Sequence, residues 1–66
     1  MQCVLSAADL VQARAVESAL TAAGIECRLQ IEDDGAGGLA IEIHAAAGRA
    51  QEALKIIAEG DWPRLA

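Results

Sequence analysis

Two runs of alternating apolar and polar residues on either side of a Gly/Asp segment constrain the fold more than any other feature. The runs are residues 25–31 and residues 39–44, and residues 33–38 separate them. Strict alternation predicts strands with one buried and one solvated face, and the short connection predicts a β-hairpin. The residues expected on the buried face are Ile25, Cys27, Leu29, Ile31, Leu39, Ile41 and Ile43.

Ala-rich segments with helical periodicity lie before and after the hairpin, over residues 8–23 and 46–59. The apolar stripes are Ala13, Val16, Leu20 and Ala23 in the first, and Ala50, Ala53, Leu54 and Ile57 in the second. Asp9 followed by Gln12 predicts a capping box, in which each side chain satisfies a free amide. Gly24 and Gly60 are the expected helix ends.

Residues 1–5 predict a further strand, whose inward face is either Cys3 and Leu5 or Val4. The element order is therefore βαββα, and the two amphipathic helices are expected on one face of the sheet. The right-handed crossover rule favours a central third strand, expected to be parallel to the first and antiparallel to the second. We predict an α+β, ferredoxin-like domain over residues 1–60, with strand order 1-3-2 and a tail over residues 61–66. The residues expected to be most buried are Leu20, Leu29, Ile41, Ile43, Leu54 and Ile57.

Composition narrows the function classes. The net charge of −5 on 66 residues makes nucleic acid an unexpected partner. No apolar run is long enough to span a bilayer, and the N-terminus lacks the basic region of a signal peptide. We therefore expect a cytoplasmic protein, and the Ala-rich composition with more Arg than Lys favours a bacterial one. Cys3 and Cys27 are expected to be free thiols, because their strands are not neighbours and their spacing fits no metal or redox motif.

The chain resembles DUF2007, a family of small bacterial domains described as putative prokaryotic signal-transducing proteins. The resemblance covers nearly the whole chain. It rests on the first strand, Ala13, Val16 and Leu20, the Ala23-Gly24-Ile25 step, Gly37-Gly38, the strand over residues 39–43, and residues 50–57. It implies a ferredoxin-like fold and a loose analogy to nitrogen-regulatory PII proteins. It supplies no ligand and no catalytic residues.

Few residues suggest chemistry. His44, on the predicted solvated face, could pair with Glu42 or Glu26 as a proton-transfer or metal site. A single histidine without a second histidine or a nucleophile is weak evidence for either, so a solvated histidine on a strand is expected. Residues 33–38 lack the ligand pattern of a calcium loop and do not precede a helix, so a plain turn is expected. We predict no catalytic residue, no cofactor and no metal site. The candidate interaction surface is Val4, Arg28, Glu42, His44 and Trp62.

These features predict a non-enzymatic regulatory or protein-interaction module. The alternatives are a small-ligand sensor that binds a metabolite at a dimer groove, as ACT and PII proteins do, and a small enzyme centred on His44 and Glu42. The expected partner is a protein or a second copy, with a homodimer formed at the first strand's edge or across the open sheet face. A tail that folds back through Trp62 against the helices or that edge would instead leave a monomer.

Overall fold

The computed structural model describes residues 1–33 and 35–63. The elements are β1 (Gln2–Ala7), α1 (Leu10–Ala22), β2 (Cys27–Asp33), β3 (Leu39–Ala45) and α2 (Ala50–Glu59). The predicted βαββα order is confirmed. The second helix begins later than predicted, because Ala47–Arg49 forms a 3₁₀ turn before it. The hairpin turn contains Gly35 and Gly37, both with positive φ, and Asp34 lies outside the described residues.

Within the described residues the sheet has three strands, in the predicted order β1-β3-β2. Both strand pairs are antiparallel, so the expectation that β1 runs parallel to β3 is wrong. The reason lies in the crossover. The passage through α1 brings the chain back so that β1 and β2 point the same way. The hairpin then reverses the chain, and β3 runs antiparallel to both neighbours.

Local hydrogen bonds fix both ends of α1. The Asp9 carboxylate accepts from the Gln12 amide at 2.8 Å, and the Gln12 side-chain oxygen accepts from the Ala8 amide at 2.9 Å. The predicted capping box is therefore present, with its return bond one residue earlier than usual. At the other end Gly24 adopts φ +79°, and the Ile25 amide donates to the Leu20 carbonyl at 2.9 Å. This left-handed step turns the chain from α1 towards β2.

One hydrophobic core lies between the sheet and the helices, with α1 against β2 and β3 and α2 against β1. The buried apolar residues are Val4, Ala13, Val16, Leu20, Ile25, Ile41, Ile43, Ala45, Ala50 and Ala53. Both helices thus cover one face of the sheet, as predicted.

The burial predictions hold only in part. Leu20, Ile41 and Ile43 are buried as expected, and Leu29 and Ile57 are partly buried. Leu54 is 38% exposed, because α2 presents Ala50 and Ala53 to the core and Ile56 and Ile57 at its edge. Ile31 and Leu39, also predicted inward, are exposed at the hairpin end of the sheet.

The chain beyond α2 folds back onto the core, which is the alternative that the sequence analysis left open for the tail. The Trp62 indole N–H donates to the Ile57 carbonyl at 2.9 Å, and its ring packs against the core. Gly60 ends the helix with its amide bonded to the carbonyls of Ile56 and Ile57. A side chain at Gly60 would collide with the Trp62 ring, so this glycine is required by close approach. Residues 64–66 of the predicted tail lie outside the described residues.

Candidate functional site: the open face of the sheet

Opposite the helices, the sheet presents a polar surface that we call the open face. Cross-strand partners in an antiparallel sheet point to the same side, so the register with β3 assigns the side chains. Those on the open face are Cys3 and Ser6 of β1, Arg28, Gln30 and Glu32 of β2, and Ala40, Glu42 and His44 of β3. The three predicted surface residues Arg28, Glu42 and His44 therefore lie together.

His44 and Glu42 form the best-defined polar contact on this face. They lie two residues apart on the central strand, and His44 Nε2 is 3.0 Å from Glu42 Oε1. Their side chains are 19% and 38% exposed, so neighbouring strands limit their freedom. Of the two partners expected for His44, Glu42 is the one it contacts. The pair can share a proton or bind a cation.

A β-bulge in β1 brings Cys3 to the same place. Cys3 lies opposite His44 and Leu5 lies opposite Ile43, so Val4 is the additional residue between them. The bulge sends Cys3 to the open face while Val4 is buried and Leu5 is partly buried. Cys3 Sγ and the ligand atoms of Glu42 and His44 all lie within 4.8 Å of one another.

Sequence reasoning missed this cluster for a physical reason. Regular alternation would place Cys3 and Leu5 on one face, whereas a bulge shifts parity by one residue. Nothing in the composition of residues 1–5 marks the position of the bulge. Each of the two alternatives for the inward face of β1 is therefore partly correct, since both Val4 and Leu5 contact the core.

The other two predicted surface residues lie elsewhere. Val4 is only 7% exposed and belongs to the core, which corrects its assignment to the interaction surface. Trp62 is partly buried at the end of α2, on the helical side of the molecule. The two cysteines also face opposite sides, because Cys3 is on the open face while Cys27 packs against the core. Both are free thiols.

A groove of about 570 Å³ lies beside this cluster and opens widely to solvent. Its lining residues are Met1, Glu26, Arg28, Gln30, His44, Ala46 and Ala47. The lining includes an acidic side chain, Glu26, and a basic one, Arg28. An open groove with polar lining differs from the apolar, enclosing pockets that bind small ligands.

A second ion pair lies away from the open face, at the start of α2. Arg49 donates to both carboxylate oxygens of Glu52, each at 2.9 Å, and to the Gly24 carbonyl at 3.4 Å. The hydrogen bonds from Arg49 lower the pKa of Glu52 below its ordinary value. This contact ties the start of α2 to the end of α1, so its role is structural.

Comparison with known proteins identifies a family. The model of DUF2007, described as "Putative prokaryotic signal transducing protein", matches residues 1–61. No curated protein and no solved structure matches the chain. Among the described residues, neither helix has the length and apolar character needed to cross a membrane.

Proposed function

Because the chain belongs to the DUF2007 family, we propose that it is a small non-enzymatic regulatory module whose binding partner is a second copy of itself. The observation that carries this proposal is the edge of β1. In the part of the chain that the structure describes, that strand bonds to β3 on one side only, and none of its six residues, Gln2–Ala7, is charged. The family description, signal transduction, is compatible with a protein that acts by association.

An unpaired strand edge offers a row of amide donors and carbonyl acceptors to another chain. The opposite edge of the sheet is protected, since Arg28, Glu32 and Asp33 of β2 carry charges. Charged side chains on an edge strand disfavour its pairing with another chain. The asymmetry between the two edges therefore favours β1 as the contact.

Among residues 1–33 and 35–63, no further strand pairs with this edge. The described part of the tail does not compete for it, because Trp62 returns to the Ile57 carbonyl at the end of α2. Antiparallel pairing of β1 with its copy would join two three-stranded sheets into one. The bulge at Val4 shortens the regular part of the strand, so we expect a weak, concentration-dependent dimer of the kind used in transient signalling.

Substitution of Ser6 tests the edge without disturbing the core. Ser6 is exposed on β1, and Ser6→Lys places on this edge the type of charged side chain that keeps edge strands from pairing. Ser18 is exposed on α1, so Ser18→Lys is the control with the same change of charge. Val4→Lys would be uninformative, because Val4 is buried and the variant would unfold.

Light scattering under reducing conditions provides the measurement. We expect the average mass of the wild type and of Ser18→Lys to rise with protein concentration, from the monomer mass of 6.8 kDa towards twice that value. Ser6→Lys should stay monomeric. A wild type that remains monomeric through millimolar concentration would contradict the proposal. A dimer that survives Ser6→Lys would place the contact on another surface.

A further inference from the structure

We propose that Cys3, Glu42 and His44 form a Zn²⁺ site on the open face, with water as the fourth ligand. The inference goes beyond self-association and does not depend on it, since all three ligands come from one chain. A thiolate, an imidazole and a carboxylate form a ligand set that zinc uses in proteins. Calcium and magnesium prefer oxygen ligands alone, which makes zinc the better fit.

The distances are close to those of a bound ion. Tetrahedral zinc holds neighbouring nitrogen, oxygen and sulfur ligands roughly 3.3–3.6 Å apart, given its bond lengths of about 2.0–2.3 Å. His44 Nε2 and Glu42 Oε1 are already 3.0 Å apart, and the whole set lies within 4.8 Å. The ion would take the place of the hydrogen bond between His44 and Glu42. A rotation of the exposed Cys3 side chain would close the remaining gap.

The backbone arranges this set independently of any ligand. Glu42 and His44 project from the central strand, which is paired on both sides. Cys3 lies directly opposite His44, and the bulge at Val4 directs it to the open face. Bulges commonly redirect a side chain at a functional site. Here the bulge converts a position that would face the core into a third ligand.

Neighbouring charges set the expected affinity of the site for Zn²⁺. The net charge of −5 favours binding of a cation. Arg28 acts against it, because it lies opposite His44 on β2. We therefore expect micromolar affinity rather than the much tighter binding of closed structural sites. For the same reason Arg28→Gln should tighten binding, a change that a nonspecific acidic surface elsewhere would not show.

Calorimetric titration with Zn²⁺ and optical titration with Co²⁺ test the site in tag-free, reduced protein. We expect one ion per chain and a thiolate-to-cobalt charge-transfer band. Cys3→Ser and His44→Gln should each weaken Zn²⁺ binding by at least about 100-fold, more than the loss of a supporting residue around a metal ligand. Cys27→Ser is the matched control, because its thiol faces the core side, and it should bind as the wild type does.

Three results would overturn the proposal. The first is Zn²⁺ binding with one ion shared between two chains. The second is a cobalt thiolate band that survives Cys3→Ser or disappears in Cys27→Ser. The third is no binding at Zn²⁺ concentrations up to the millimolar range by folded wild-type protein. Circular dichroism of each variant tests whether it is folded. We expect the variants at Cys3 and His44 to fold, because neither residue belongs to the core.

Discussion

Replacement of Leu20 and of Leu54 by alanine should have very different effects on stability, although both occupy the apolar stripe of a helix. Leu20 is fully buried, whereas Leu54 is 38% exposed. Leu20→Ala loses the transfer free energy of its side chain and leaves a cavity, at a cost of about 3–5 kcal/mol. Water fills the space left by Leu54→Ala. Full burial of leucine is worth about 1.5–3 kcal/mol, so partial burial predicts a loss of about 1 kcal/mol.

Urea denaturation followed by circular dichroism measures both losses. A chain of 66 residues has a total stability of roughly 3–10 kcal/mol, so Leu20→Ala removes a large part of it. If Leu20→Ala is already unfolded without urea, a smaller truncation at another fully buried position, Ile43→Val, replaces it in the comparison. Its expected cost is about 0.5–1.5 kcal/mol. Equal losses for Leu20→Ala and Leu54→Ala would refute the packing described for α2.

Two further predictions concern the helix ends. Gly24→Ala should destabilise the fold by about 1 kcal/mol, because Gly24 has φ +79°, a conformation that alanine rarely adopts. Gly48 has no positive φ, so Gly48→Ala should not destabilise the fold. Thermal unfolding of the two variants measures the difference. The lowered pKa of Glu52 means that its bond to Arg49 stabilises the fold above the carboxyl's ordinary pKa and is lost as pH falls through the lowered value. The difference in urea midpoint between wild type and Glu52→Gln should therefore shrink from neutral pH to about pH 3, and a constant difference would contradict this.

The features predictable from sequence are those set by neighbours in the chain. The hairpin follows from alternation, and the limits of α1 follow from Asp9 and Gly24, whose roles depend on atoms a few residues away. Strand order follows from the crossover rule and the hairpin together. The direction of β1 was predicted wrongly, although the same chain reversals fix it.

Features set by packing could not be predicted in this way. Leu54 and Ala53 are adjacent on α2, and only the approach of the helix to β1 decides that Ala53 is buried and Leu54 exposed. The cluster of Cys3, Glu42 and His44 depends on a bulge whose position follows from the pairing of β1 with β3. Residues 1–5 give no local sign of that register shift, so the sequence does not predict this cluster.

The alanines of the core have an evolutionary consequence. Ala13, Ala45 and Ala53 are fully buried, so at these positions the packed core holds only a methyl group. Most single-base changes in an alanine codon enlarge the side chain, and a packed layer has no room for the addition. Glycine adds backbone freedom to a helix or strand, and serine brings a hydroxyl that needs a partner. We therefore expect these codons to drift little among descendants of this gene, while exposed leucine positions such as Leu54, where truncation costs only about 1 kcal/mol, drift more.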